Sequence, residues 1–238
     1  SSKISKRQYK SAQRVFQCAM VFALTMGGIT FLACEFLGDF LAEHVMEEPM
    51  GAMALKVLGP ALLTVSVMGV FRGYFQGLGT MMPTAVSQIL EQIFVLIGSI
   101  AGTYVLYNYG SKVGALFHNE DYAPAYGAAG ASIGPVLGSV VGLAFLVFVY
   151  LLYRKGNRKR SSRDMNGRVD GYPQIFKLII LTIIPVLLSS TVYNISDVID
   201  TSIFGKVMVA KGLGDVKTDI WGVYTGKYKV LVNVPIAL

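Results

Sequence analysis

A chain of 238 residues could hold one or two soluble domains, but 53% of this one is hydrophobic, 15% is charged and its mean hydropathy is +0.55. That balance excludes an ordinary soluble domain and indicates an integral, all-α, polytopic membrane bundle. The formal charge of +7 is concentrated in two clusters. One holds Lys3, Lys6, Arg7, Lys10 and Arg14, the other runs from Arg154 to Arg168, and the positive-inside rule puts both in the cytoplasm. Between two spans, RKGNRKRSSR reads as a juxtamembrane run rather than a nucleic-acid patch.

A spanning helix needs about 20 mostly apolar residues. Five such runs are present, followed by the start of a sixth. The first covers about Gln13 to His44 and leaves from the basic segment, so the start of the chain is expected inside and the acidic loop HVMEEPMG outside. Cys18 and Cys34 lie on this run, about 24 Å apart on a helix. They cannot pair with each other and are read as small packing residues. The second span, about Ala52 to Phe75, carries Pro60, which is expected to kink it, and glycines at 69, 73 and 77. Four-residue spacing puts those glycines on one face, which predicts a ridge against which another helix packs closely.

The turn GLGTMMP follows, with Pro83 suited to the first turn of the next helix. The third span is expected over about Thr84 to Tyr107, with Gly98 and Gly102 as a small-residue pair. NYGSKVGALFHNEDYAPAYG then reads as the longest outer loop. Its His118, Glu120 and Asp121 lack further ligands at a recognisable metal spacing. The fourth span, Tyr126 to Tyr153, has glycines at 130, 134, 138 and 142 with Pro135 among them, a second ridge that predicts close helix packing.

Residues 154–172 read as a basic cytoplasmic linker. They would separate four spans of one lobe, residues 1–153, from the start of another, residues 173–238. The fifth span, about Pro173 to Phe204, begins as plain lipid-facing sequence, passes Pro185 and turns polar. Positions 190, 193, 194, 197, 200 and 201 share one face, and such a stripe must meet protein or a water-filled cavity. A sixth span begins near Trp221, carries Lys227 and Lys229, and runs to VLVNVPIAL. The basic beginning and the apolar end predict an internal piece of a longer protein.

No P-loop and no HExxH zinc motif is present, and two histidines with two separate cysteines offer little for acid–base or metal chemistry. The chain therefore reads as a non-enzyme without a cofactor or bound metal. What stands out is the polar residues within apolar runs: Arg72, Gln76, Gln88, Glu91 and Gln92 around the second turn, and Tyr193, Asn194, Asp197 and Asp200 on the fifth span. A central membrane charge costs about 2.5–3.5 kcal/mol on insertion scales. A cavity for a polar or anionic ligand would account for that cost. The plainer readings are that Arg72 snorkels to the headgroups, that Gln88, Glu91 and Gln92 join helices to one another, and that Lys227 and Lys229 reach outward.

GYFQGLGTMMPTAVSQILEQ, YNISDVIDTSIF and YTGKYKVLVNVPIAL resemble segments of the MurJ-type lipid II flippases and the related stage V sporulation protein B group. Both belong to the multidrug/oligosaccharidyl-lipid/polysaccharide exporter superfamily, and the resemblance covers nearly the whole chain. It implies two six-helix lobes in a bacterial cell membrane. It also implies alternating access and movement of an undecaprenyl-pyrophosphate-linked sugar, such as lipid II, to the outer leaflet. The segments here would be helices three to eight. Arg72, Gln76, Gln88, Glu91, Gln92, Tyr193 and Asn194 would then bind or gate the substrate. Asp197 and Asp200 would couple transport to Na⁺ or H⁺. Export of other polysaccharide repeats or of drugs is the alternative within the superfamily, and a membrane scaffold or transferase the alternative outside it.

Overall fold

The computed structural model describes residues 9–45, 49–161 and 171–231. Among these there are helices and turns and no strand. Five helices are long and apolar enough to cross a membrane: α1 (Tyr9–Phe40), α2 (Ala52–Gly77), α3 (Met82–Phe117), α4 (Tyr122–Ser161) and α5 (Tyr172–Ala210). A π-helical turn, Leu41–Val45, extends α1. After α5 come a short helix α6 (Lys217–Val223) and a π-helical turn, Tyr224–Lys229, the start of the sixth segment. The basic residues Lys3, Lys6 and Arg7, the centre of the loop after the first span, the linker from residue 162 to 170 and the end of the sixth run lie outside the described residues.

Several boundaries differ from the sequence expectation. Helix α3 continues ten residues past Tyr107, so most of the expected outer loop is helical and only a tight turn remains before α4. His118 stops α3 by taking a left-handed φ of 51°, while Asn119 N–H donates to the Gly114 carbonyl at 3.1 Å. Helix α4 likewise runs into the basic segment as far as Ser161. Hydropathy marks where apolar surface ends, whereas a helix ends where its backbone is capped.

The turn between α2 and α3 forms as its residues require. Gly79 takes φ +82°, Leu78 N–H donates to the Tyr74 carbonyl at 3.0 Å, and Pro83 lies in the first turn of α3, where its missing N–H costs nothing. Pro60, Pro135 and Pro185 all sit inside unbroken helices.

The most extensive packing joins α3 to α4, followed by α1 with α2 and α2 with α4; α5 touches α1 only lightly. At the α3–α4 seam the glycine ridge of α4 meets its counterparts on α3 backbone to backbone. A Cβ on Gly98 would lie 2.9 Å from the Gly134 Cα, and one on Gly130 would run into the Gly102 carbonyl. Ser99 closes the same seam by donating to the Ala131 carbonyl at 2.8 Å. In lipid the hydrophobic effect contributes little between helices, so such close packing and hydrogen bonding carry the association.

The other ridge behaves differently. Nothing lies within 4 Å of a Cβ placed on Gly69 or Gly73. Instead of receiving a closely packed helix, this face forms one wall of an apolar hollow of about 520 Å³, whose other walls include Ala19 and Phe22 of α1 and Ile179 and Ile183 of α5. Four-residue spacing fixes which residues share a face; what covers that face depends on the neighbouring helices.

Candidate functional site

Besides the exposed pair of Lys56 Nζ and Asp39 Oδ2 at 2.8 Å between α2 and α1, two polar clusters of sequence candidates bring charges from separate elements together. The first lies below the α2–α3 turn. Arg72 is five residues before the end of α2 and Glu91 nine residues after the start of α3. At 1.5 Å per residue both lie roughly 8–14 Å from the turn, so a hairpin juxtaposes them. The Arg72 guanidinium donates through Nη2 to Glu91 Oε2, and its Nε donates to Ser87 Oγ at 3.3 Å. The Ser87 hydroxyl donates to the Thr84 carbonyl at 2.7 Å.

The side chains of Arg72 and Glu91 are only 19% and 16% exposed, so each is largely screened from its surroundings by the helices. Gly142 of α4 closes one side. A Cβ there would stand 3.5 Å from both Glu91 Cβ and the Ser87 carbonyl, and 3.0 Å from Met68 Sδ. Beside the pair, Met68, Phe71, Phe75 and Leu146 are buried. Phe16 of α1 packs its ring at 5.6 Å from Phe71, 4.9 Å from Tyr74 and 5.4 Å from Tyr150. The ion pair therefore sits where α1, α2, α3 and α4 are tied together. Thr84 Oγ1 is buried there without a hydrogen-bond partner.

The remaining candidates near the turn stay outside this cluster. Gln76, Gln88 and Gln92 are exposed, while Glu91, one helical position from Gln92, turns inward. Their shared sequence stripe is thus divided, with one member satisfying an arginine and the others on the surface.

The second cluster joins α5 to the sixth segment. Lys229, at the end of the π-helical turn, places Nζ 2.5 Å from Asp197 Oδ1, across 32 residues of sequence. Asn194 donates to the Ser190 carbonyl at 2.7 Å and Thr201 to the Asp197 carbonyl at 2.7 Å. Asp200 is exposed on the same helix, and the side chain of Tyr193 lies outside what the structure describes. Ser190, Asn194, Asp197 and Asp200 of the polar stripe are exposed, on a helix whose mean hydropathy reaches 2.2. Phe204, Trp221, Tyr224 and Tyr228 form a run of neighbouring rings with centroids 4.8, 5.3 and 5.6 Å apart, which fastens the sixth segment beside α5. Sequence spacing gives no sign of the Lys229 contact, because the partners lie on different elements.

One pentapeptide, Gly130-Ala131-Ser132-Ile133-Gly134, has the spacing of a nucleophile elbow, yet it lies inside α4 rather than at a strand–helix turn. The Ser132 hydroxyl donates to the Ala128 carbonyl of its own helix at 3.1 Å. Cys18 is buried, Cys34 half-buried, and both are free thiols.

The sequence profile of a family described as polysaccharide biosynthesis protein matches residues 1–238. Among individual proteins, the chain is 26% identical to the lipid II flippase MurJ of Bacillus subtilis (strain 168), over 98% of its own length and 43% of that protein's. It is 26% identical to stage V sporulation protein B of the same organism, over 91% of this chain and 40% of the other. A third relative there, the uncharacterized membrane protein YabM, is 27% identical over 80% of this chain and 33% of its own. The chain thus spans about two fifths or less of these relatives. No solved structure gives a significant match.

Proposed function

The chain belongs to the polysaccharide biosynthesis protein family, and from that membership we propose that it forms part of a flippase for a lipid-linked saccharide, with lipid II as the substrate. The protein is a transporter and not an enzyme. It works in a bacterial cell membrane, with the start of this chain on the cytoplasmic side as its basic clusters suggest. The sugar and pyrophosphate travel through a wet cavity between two lobes while the polyprenyl tail stays in lipid, and rocking of one lobe against the other exchanges access.

The observation that carries this reading is the polar stripe of α5. Polar side chains of a spanning helix must meet protein or a water-filled cavity. Ser190, Asn194, Asp197 and Asp200 are open on the most loosely packed helix of the bundle, which supports a place for them along the translocation path. Asp197 and Asp200 are assigned the coupling to Na⁺ or H⁺, and Asn194 and Tyr193 contact with the saccharide. Arg72 and Glu91, tied to each other, serve as a gate at the cytoplasmic entrance, with Gln76, Gln88 and Gln92 on its rim.

The full-length protein carrying this chain is expected to restore growth to a strain depleted of its lipid II flippase. Failure to do so while correctly inserted in the membrane would sink the lipid II assignment. Rescue instead of a strain lacking export of another lipid-linked repeat would move the substrate within the family. Cysteines introduced as Gln88→Cys and Tyr193→Cys separate transport from a scaffold role. Labelling from the two sides of the membrane that depends on substrate is the expected result, and no labelling from either side at either position would overturn the cavity.

A further inference from the structure

We propose that Lys229 is the built-in counter-ion of Asp197, and that a transported or coupling cation reaches the Asp197 carboxylate only by displacing the Lys229 ammonium. This rests on the coupling role of Asp197 proposed above and adds the residue that sets its cation affinity.

The argument begins with cost. Asp197 sits on a helix where Val192, Ile195 and Val198 are half or more exposed and Ile199 nearly so, in surroundings suited to lipid rather than to charge. A carboxylate placed there needs a cation or a proton. In this structure the cation is Lys229 Nζ, 2.5 Å away. The geometry is an exchange geometry rather than a sealed one: the two side chains are 53% and 37% exposed, against 16% and 19% for Glu91 and Arg72. Within this chain neither partner is enclosed by neighbouring helices as Arg72 and Glu91 are.

The ammonium comes from a separate element. Lys229 is the last residue of the π-helical turn Tyr224–Lys229. Such a wide turn is often found at functional sites and shifts the face on which the next side chains project. The pair is thus also a strap between α5 and the sixth segment, alongside the aromatic run through Trp221. Replacing Lys229 by a free cation leaves Asp197 neutralised but unties the strap. One exchange event links cation binding to freedom of the sixth segment, which is the thermodynamic requirement for coupling: the ligand must discriminate between two arrangements. A tethered partner acts at an effective concentration on the order of millimolar or more. Lys229 therefore holds the cation affinity low, so that release on the far side remains possible.

The test measures cation-dependent thermal stability of the purified full-length protein in detergent, titrating NaCl at constant ionic strength with choline chloride. Lys229→Gln is expected to lower the half-saturating Na⁺ concentration at least tenfold, Lys229→Arg to stay near wild type, and Asp197→Asn to abolish the response. A wild type that is silent while Lys229→Gln responds also supports the proposal, since the ammonium then wins outright. An unchanged Na⁺ midpoint in Lys229→Gln, with the response still lost in Asp197→Asn, overturns the role of Lys229 and leaves that of Asp197 standing. A response that survives Asp197→Asn, or silence in every variant, removes Asp197 as the Na⁺ site and the proposal with it. If Lys229→Gln is too unstable to purify, the Asp197→Asn/Lys229→Gln double variant is expected to recover stability while staying silent to Na⁺. A double variant that still responds overturns the proposal.

Discussion

Replacing Arg72 by alanine is expected to destabilise the bundle by about 3 kcal/mol, and Glu91→Ala by a similar amount, because each leaves the other's charge largely buried without a partner. The side chains are 19% and 16% exposed and lie where four helices meet, so water cannot readily take over the lost contact. Ser87 cannot substitute, since its single proton already goes to the Thr84 carbonyl. Apolar replacement of both, Arg72→Met with Glu91→Leu, should return stability to near the wild-type value, as is usual when a buried pair is exchanged for packed hydrocarbon. Thermal unfolding of the wild type, Arg72→Met, Glu91→Leu and the Arg72→Met/Glu91→Leu double variant forms a double-mutant cycle that isolates the coupling between the two sites. The same variants distinguish a gate from a substrate ligand. If the pair acts only on packing, transport follows stability and returns in the double variant. If Arg72 must donate its planar fork to a pyrophosphate, transport stays lost although the fold is restored.

The spans were legible in the sequence because a membrane imposes a length on apolar runs, and five long helices follow from it. The ends were not legible to the same degree. NYGSKVGALF contains enough polar residues to look like a loop, yet nothing in it stops a helix, and α3 runs on until His118 turns left-handed. The site divided in the same way. Arg72 and Glu91 could each be singled out as costly charges, but their pairing depends on a tight turn that sets α2 beside α3 and on side chains that bridge the difference in depth, five residues from the turn on α2 and nine on α3. Asp197 was visible as part of a periodic stripe. Lys229, on another element, carried only the signal of a lysine in an apolar run, and its contact depends on the π-helical register.

The contrast between the two clusters bears on motion. Around Arg72 and Glu91 the helices α1, α2 and α4 share one packed core, and α3 meets α4 through backbone. Packed interfaces of this kind have discrete arrangements rather than continuous slack. Helix α5 and the sixth segment are joined to that core by few contacts and to each other by an exposed ion pair and a row of rings. If the proposed alternating access holds, movement is expected where α5 meets the rest, while α1 to α4 move as one body.

Rigidity of that body predicts the second large effect. Gly130→Ala is expected to cost about 1–3 kcal/mol, the usual range for forcing a methyl group into a filled interface. The added Cβ would run into the Gly102 carbonyl oxygen and stand 2.8 Å from the Thr103 nitrogen. Those are backbone atoms of α3, so relief requires separating the helices, and separation also lengthens the 2.8 Å bond from Ser99 to the Ala131 carbonyl. Gly73→Ala is the matched control on the other ridge. Its Cβ meets nothing within 4 Å, so the change should be neutral or should stabilise by roughly 0.5–1 kcal/mol through reduced backbone freedom in the unfolded chain. Thermal unfolding in one detergent compares them directly. Equal effects would mean that α3 and α4 are not in backbone contact. The expected opposite signs would establish that two ridges with the same four-residue spacing serve different ends, one locking a helix pair and the other lining a hollow that leaves α5 room to move.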